Sequence, residues 1–469
     1  MNKPLIARKR STGCIPTRYV LAILGHIGFA NVYALRVNLS VAIIDMKDQY
    51  GWSSTTEGLI LSSFFFGYIF TQVPGGWLAE RYGGKWVMGL GCLGTVVLSV
   101  LTPLAAHYGL GYLIALRVLE GIGEGVTFPA MHSMWSHWAP PYERTILTTL
   151  CYTGAWMGNI IAFPLSGVLA QHGFVSEGHR WPSIFYVFGA VGFLWCIAWF
   201  FLVHSYPSTH PRISTEERNF IESSIPQKTE VAVPTPWRAI MTSPAFWSVI
   251  VSHLCNNWAA YTLLTNMPTF FKDVHHIGIM KGGIFSALPY VVIVIVIPSG
   301  GTLTDFMRRT KILSTTQARK LMNCLGQILP AVFLIGTGFA SSQALAVVLL
   351  AISVGFNGLS YSGFNVNHLD IAPRFAGTLM GITNTAGTVS GIVAPYVAGA
   401  LASAPSGTHV LAEEWRNVFY LGAEIQIFGA LIFLILGSGE EQWWANGTSM
   451  PESQTSSLSL PHGKVQRDF

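Results

Sequence analysis

The stretch Arg117-Val-Leu-Glu120-Gly-Ile-Gly-Glu124-Gly-Val-Thr-Phe-Pro-Ala-Met-His132 has the length and apolar background of a membrane helix, yet it holds one arginine and two glutamates within eight residues. An ionised side chain near the bilayer centre costs roughly 2.5–3.5 kcal/mol even on lenient insertion scales. Three in one span need a purpose. At 100° per residue, Arg117 and Glu124 differ by about 20° in direction, and Glu120 lies about 40° from Glu124. All three share one face, which is expected to point at a water-filled cavity or at partners. Gly121, Gly123 and Gly125 let a neighbouring helix approach closely.

The rest of the chain has the same background. Of 469 residues, 51% are hydrophobic and 10% charged, about 0.4 of the charged fraction usual in soluble domains. Mean hydropathy is +0.46. Runs long enough to cross a bilayer recur throughout, which predicts a polytopic all-α membrane protein. No cleavable signal peptide is evident: Lys3, Arg8, Lys9, Arg10 and Arg18 lead straight into a full-length span. Six scattered cysteines, Cys14, Cys92, Cys151, Cys196, Cys255 and Cys324, show no disulfide or metal spacing and are expected to be small core residues.

Twelve spans are predicted, near 19–44, 57–79, 86–106, 110–134, 146–170, 182–203, 244–271, 282–304, 319–339, 342–366, 376–401 and 417–437. They divide the chain into a cytosolic N-tail (1–18), a six-helix half (19–203), a cytosolic linker with one amphipathic helix (204–243), a second six-helix half (244–437) and a disordered cytosolic C-tail (438–469). Lys and Arg set the orientation. Twenty fall in the tails, the linker and the loops on the same side, five in the opposite loops, and Arg36 and Arg117 inside spans. The side with twenty, called the basic side below, is expected to face the cytosol.

An internal repeat is visible. Glu57-Gly58-Leu59 opens span two and Pro74-Gly75-Gly76 to Glu80-Arg81 closes it. Gly282-Gly283-Ile284 opens span eight and Ser299-Gly300-Gly301 to Asp305 closes it, at a constant offset of 225. Near His132, Ala139-Pro140-Pro141 is echoed by Ala372-Pro373-Arg374 near His368. Two similar six-span halves imply a substrate site at their interface near the midplane.

Gly76, Glu80, Arg81, Gly83, Gly84 and Lys85, read as the loop between spans two and three, resemble the signature loop of the major facilitator superfamily. A weaker copy, Gly301, Asp305, Arg308 and Arg309, stands at the matching place in the second half. The likeness is closer still along Tyr33-Ala-Leu-Arg36-Val-Asn-Leu-Ser-Val-Ala, Phe64-Phe-Phe-Gly67-Tyr68, Leu119 to His132, and Ser362-Gly-Phe-Asn-Val-Asn-His-Leu-Asp370-Ile-Ala-Pro. These resemble the organic anion transporter family, which holds sialic acid exporters, vesicular glutamate transporters and sodium–phosphate carriers. The resemblance runs from about residue 19 to 440. The family's vertebrate sialic acid exporters carry a long glycosylated loop before the position of Trp52; here only Lys47 to Gly51 occupy it. The sequons at Asn38 and Asn446 fall in a span and in the C-tail, where neither is expected to be used.

The polar residues fit carriage of an anion with a proton. Arg36 lies about nine residues, roughly 13 Å, from the outer end of span one, at a depth similar to Arg117. A guanidinium stays charged in a low-dielectric cavity and forks onto two carboxylate oxygens, and the resemblance implies that Arg36 contacts the substrate carboxylate. The alternative is a permanent pair with an acid or a carbonyl. Glu120 and Glu124, one turn apart, cannot both ionise cheaply, so one is expected to carry a proton, with Arg117 favouring ionisation of the other. A purely structural triad is the alternative. His132 suits a pH sensor or a gate-packing residue. His253, Asn256 and Tyr261 in span seven, with Tyr33 and Tyr68 by analogy, offer hydrogen bonds to substrate or to neighbouring helices. At Asn256 the vesicular glutamate transporters have a second arginine; a neutral residue suits a monoanionic sugar acid. Gly76, Glu80, Arg81, Lys85 and Asp305 are expected to form a conformational charge clamp.

The resulting expectation is a monomeric secondary transporter, not an enzyme. It takes a small organic anion and membrane lipid as partners, no nucleic acid and no cofactor, with H+ as coupling ion and Na+ the alternative. Acidic amino acids and inorganic phosphate are the rival substrates. An anion channel or a nutrient receptor on the same scaffold is the rival class. A lysosomal or vesicular membrane is expected, with the plasma membrane as alternative; Pro4-Leu5-Ile6 resembles a dileucine sorting signal but lacks the upstream acid.

Overall fold

The computed structural model describes residues 15–140, 143–175, 179–225, 235–404 and 409–446. Lys3, Arg8, Lys9 and Arg10 of the basic start, Pro4-Leu5-Ile6, Cys14, Pro141, Glu230, Pro234 and the tail from 447, with the residues that complete the Asn446 sequon, lie outside the described residues. Among the described residues every regular element is a helix.

By proximity the described residues fall into two compact units. The first comprises those of Met1–Thr229, with Met267–Lys272 and His276–Tyr290; the second comprises those of Glu230–Asn266, Asp273–His275 and Val291–Phe469. The first six spans are α1 (Thr17–Tyr50), α2 (Ser54–Tyr82), α3 (Gly84–Tyr108), α4 with α5 (Leu110–Gly125, Thr127–Trp138), α6 with α7 (Arg144–Tyr152, Gly154–His172) and α8 (Pro182–Leu202). The linker holds α9 (Thr215–Ser224) and α10 (Trp237–Met241). The last six spans are α11 (Pro244–His275), α12 (Ile279–Arg309), α13 (Thr315–Thr337), α14 with α15 (Gln343–Asn357, Phe364–Ile371), α16 (Ala376–Leu401) and α17 (His409–Leu436).

Nine helices are long and apolar enough to cross a membrane by length and composition alone, among the described residues. The other three spans have identifiable polar loads. Span four (α4–α5) carries Arg117, Glu120 and Glu124; α11 carries His253, Asn256, Asn257 and Asn266; α16 is rich in threonine, serine and glycine. Span four breaks at Val126, where Pro129 cannot donate to the Gly125 carbonyl and the Thr127 hydroxyl donates to the Glu124 carbonyl at 2.7 Å. The helices also run longer than the apolar runs. α1 continues past residue 44 to Tyr50, and Gly51 caps it at φ 66°, donating to the Lys47 carbonyl.

The signature stretch differs from its expected form. Gly76, Glu80 and Arg81 lie in α2 and Lys85 in the first turn of α3, so the loop shrinks to Gly83, whose φ of 91° favours glycine. Asp305 likewise lies in α12, with Arg308 at 3.8 Å one turn on. The Arg81 guanidinium sits over the Trp77 and Tyr82 rings, and the Lys85 ammonium over Trp86.

The expected amphipathic linker helix is α9, capped by Ser214, which accepts from the Glu217 N–H at 3.1 Å. Glu217 in turn accepts from the backbone N–H groups of Thr17 (2.9 Å) and Arg18 (3.1 Å), placing a carboxylate at the start of α1. Arg18 bridges Glu217 (2.8 Å) and Glu143 (2.6 Å).

The C-terminal segment departs from expected disorder as far as residue 446. The Ser438 carbonyl accepts from Asn367, Gly439 N–H donates to Thr316, and Gln442 N–H donates to the Ile371 carbonyl. Trp444, 2% exposed, is buried with Ile240, Phe246, Phe364, Leu379 and Phe433. Trp444, with Ala445 beside it and Trp443 packed against the same cluster, anchors a segment that is polar on average.

Candidate functional site: a buried two-arginine, two-glutamate cluster

The face expected on span four is real. Arg117, Glu120 and Glu124 are all buried, none more than 2% exposed. What brings a partner helix against that face is a reciprocal glycine contact. A Cβ on Gly121 of α4 would collide with the Phe64 carbonyl of α2, and one on Gly67 of α2 would collide with the Val118 carbonyl of α4. The two backbones touch, and Phe64 and Tyr68 are set beside the charges.

Arg117 pairs with Glu120 one turn along. The Thr102 hydroxyl of α3 donates to Glu120 Oε1 at 3.5 Å. Arg36 reaches from α1 to Glu124 Oε1. Glu124 Oε2 and Arg117 Nε have no hydrogen-bond partner among the described residues. Arg36 and Arg117 each meet an acid within the first unit; the Arg117–Glu120 pair follows from their spacing, while for Arg36 a pair with an acid was only the alternative to substrate contact. Tyr33 and Tyr68 are there too, their ring centres 4.5 and 5.0 Å from the Arg36 guanidinium. Phe64, to which sequence reading gave no role, lies 4.9 Å from Arg36 and 5.3 Å from Arg117, with its ring under both cations. Ring faces stabilise desolvated cations, so Phe64 helps hold two like charges in one low-dielectric space.

The charge count also changes. Reading Glu120 and Glu124 with Arg117 alone left one acid needing a proton. With Arg36 added, two carboxylates face two guanidiniums. The cluster is neutral when both acids are ionised and carries one positive charge when either is protonated. Buried pairs of this kind cost desolvation that their attraction only partly offsets, and removing one member leaves a charge stranded.

His132 does not join the cluster. On α5, its Nδ1 lies 2.6 Å from the Tyr152 hydroxyl and 3.1 Å from the Phe128 carbonyl, and its ring stacks on Tyr152. At the far end of α1, a polar cavity is lined by Asp45, Asp48, Gln49, Gln171, His179 and Arg180.

His253 and Asn256 are buried in α11 within the second unit. The His253 ring lies 5.0 Å from Phe364. Asn256 Oδ1 accepts from Asn357 Nδ2 at 2.7 Å and from the Ser360 hydroxyl at 2.9 Å. Tyr261 is half-buried, its carbonyl accepting from Thr265. Sequence reading missed Asn357 and Ser360, because lone polar residues in a span are common and carry no signal of their own.

Apolar helices long enough to cross a bilayer, with ionisable groups buried among them, define a polytopic membrane protein. The model of the Major Facilitator Superfamily matches residues 25–395. Sialin of Homo sapiens is 43% identical over 463 residues, covering 92% of this chain and 91% of the relative. Vesicular glutamate transporter 3 of Danio rerio is 42% identical over 471 residues, covering 95% and 78%. Among solved structures, a bacterial homolog of the human lysosomal transporter Spinster, inward-facing and occupied, superposes with a TM-score of 0.74 at 17% identity, covering 90% of this chain and 97% of that one. A D-xylose–proton symporter gives 0.69 at 14%, covering 91% and 99%. This chain belongs to the major facilitator superfamily, and within it to the sialin-like organic anion transporters. It is a multi-pass membrane transporter of organic anions and not an enzyme.

Proposed function

We propose that the chain carries a small carboxylate, with sialic acid and related acidic sugars first, together with one proton by alternating access of its two halves. The observation that carries this reading is the Arg36–Glu124 pair. A substrate carboxylate and Glu124 compete for the same guanidinium. While Glu124 is ionised, Arg36 is engaged and the cluster is neutral. When Glu124 takes a proton, Arg36 is released and the cluster holds one positive charge, which one monoanion cancels. Proton and anion therefore stabilise each other's presence in a site where either alone leaves an uncompensated charge. Glu120 with Arg117 provides the fixed half of the balance, and His132 the pH-responsive contact at the basic side.

Similarity to human sialin and the neutral Asn256 support an acidic sugar. The 42% likeness to a vesicular glutamate transporter supports a second reading, acidic amino acids. His253, Asn256 and Tyr261 would hydrogen-bond the remainder of the substrate in either case. Gly76, Glu80, Arg81, Lys85 and Asp305 act as the conformational elements at the helix ends. The chain works as a monomer in a lysosomal or vesicular membrane with both termini in the cytosol, and H+ rather than Na+ drives it.

Glu124→Gln tests the coupling. With Glu120 ionised, the variant holds the cluster at one positive charge and has no proton to give up at position 124. In proteoliposomes it is expected to keep anion exchange and lose uptake driven by a proton gradient. Driven uptake at the original rate would remove Glu124 from the proton path.

A further inference from the structure

Span ten does not run through as one helix. α14 ends at Asn357, a 3-10 turn covers Gly358–Ser362, Gly363 stands at φ −90° and ψ −104°, and α15 resumes at Phe364. Such a break leaves carbonyl groups without the partner an α-helix gives them, which is costly in a membrane interior. It also leaves two helix segments joined by one short 3-10 turn, closed where the Gly363 N–H donates to the Ser360 carbonyl at 3.0 Å.

The break lies along α13. Gly363 sits so close to Asn323 that a Cβ would come within 2.7 Å of its backbone nitrogen, and a Cβ on Gly326 would meet the backbone of Ser360. One turn nearer the start of α13 stands Arg319, 5% exposed. Its Nη1 donates to the Ser362 carbonyl at 2.8 Å, on the break itself. Its Nε and Nη2 donate to the two oxygens of Asp370 at 2.6 and 3.3 Å, beyond the break on α15. One planar guanidinium thus holds both sides of the interruption. The fork is what allows this; an ammonium has no such geometry.

The same turn supplies the two groups that hold Asn256. Asn357 ends α14 and Ser360 is in the turn, and both bond Asn256 Oδ1. We propose that Arg319 is a positioning residue for substrate. By stapling Ser362 to Asp370 it fixes the interrupted turn of span ten, and through Asn357 and Ser360 it sets the Asn256 amide. This rests on Asn256 facing the substrate, as proposed above.

Two readouts test it on the full chain in lipid nanodiscs and proteoliposomes. Hydrogen–deuterium exchange needs no substrate. Arg319→Gln is expected to speed exchange across 357–371 by about tenfold and leave the Arg36–Glu124 helices unchanged, with Arg319→Lys intermediate. In transport, Arg319→Gln is expected to raise KM by about fivefold or more while the maximal rate stays within about twofold. Asp370→Asn, the milder change, is expected to move both readouts in the same direction. Unchanged exchange across 357–371 in Arg319→Gln would overturn the staple. Faster exchange with unaltered KM would overturn its role in positioning. A wild-type chain that carries no anion would sink the transport reading, while the exchange result still decides the staple.

Discussion

Arg36 holds its charge among four aromatic rings, those of Tyr33, Phe64, Tyr68 and Phe65. Arg36→Lys keeps the charge and loses both the fork and the flat face that lies on those rings. Uptake is expected to fall by at least about tenfold in proteoliposomes with the fold retained, because a point charge cannot grip two oxygens and stack at once. An unchanged rate would show that only net charge matters at this position. The four charged members were legible in the sequence because an ionised group in an apolar run costs energy and needs a reason. That Arg36 and Glu124 are partners was not, since 88 residues separate them and no local period links them. Phe64 was invisible for the opposite reason: phenylalanine is an ordinary occupant of an apolar run.

The fit of α2 against α4 depends on Gly67 and Gly121, each filling its space with hydrogen where the other helix's carbonyl stands. Gly121→Ala must push the helices apart. Overpacking of this kind costs about 1–3 kcal/mol, so the melting temperature in detergent is expected to drop and driven uptake to fall with it. A stable, active Gly121→Ala variant would contradict the contact. Gly121 was read correctly as a site of close approach; its counterpart Gly67 was not singled out. The interruptions at Val126 and at Gly358–Gly363 were not seen, because hydropathy averages over a span and a break of a few residues hardly alters it. The signature stretch was read as a loop from its charges and glycines, yet one left-handed glycine, Gly83, is all the turn requires. Trp444 was lost in the same averaging, its apolar bulk diluted by polar neighbours.

At the scale of the whole chain, twelve spans and two repeated sixes followed from the length of apolar runs and an offset of 225 residues. The bilayer sets the length of each apolar run, and the constant offset marks the internal repeat that many transporter folds carry. Substrate identity is less legible because, in the proposed function, Arg36 would read the ligand's charge while its shape would fall to neutral groups such as Asn256, which resemble ordinary helix contacts. The central claim is that proton and anion enter one charge-balanced site together. Uptake of labelled sialic acid, glutamate, aspartate and phosphate into proteoliposomes of the wild-type chain, with and without an imposed proton gradient, addresses it. The charge balance predicts that sialic acid accumulates above its equilibrium level only when the gradient is present; equal accumulation at both settings, or accumulation that follows Na+ instead, would contradict it.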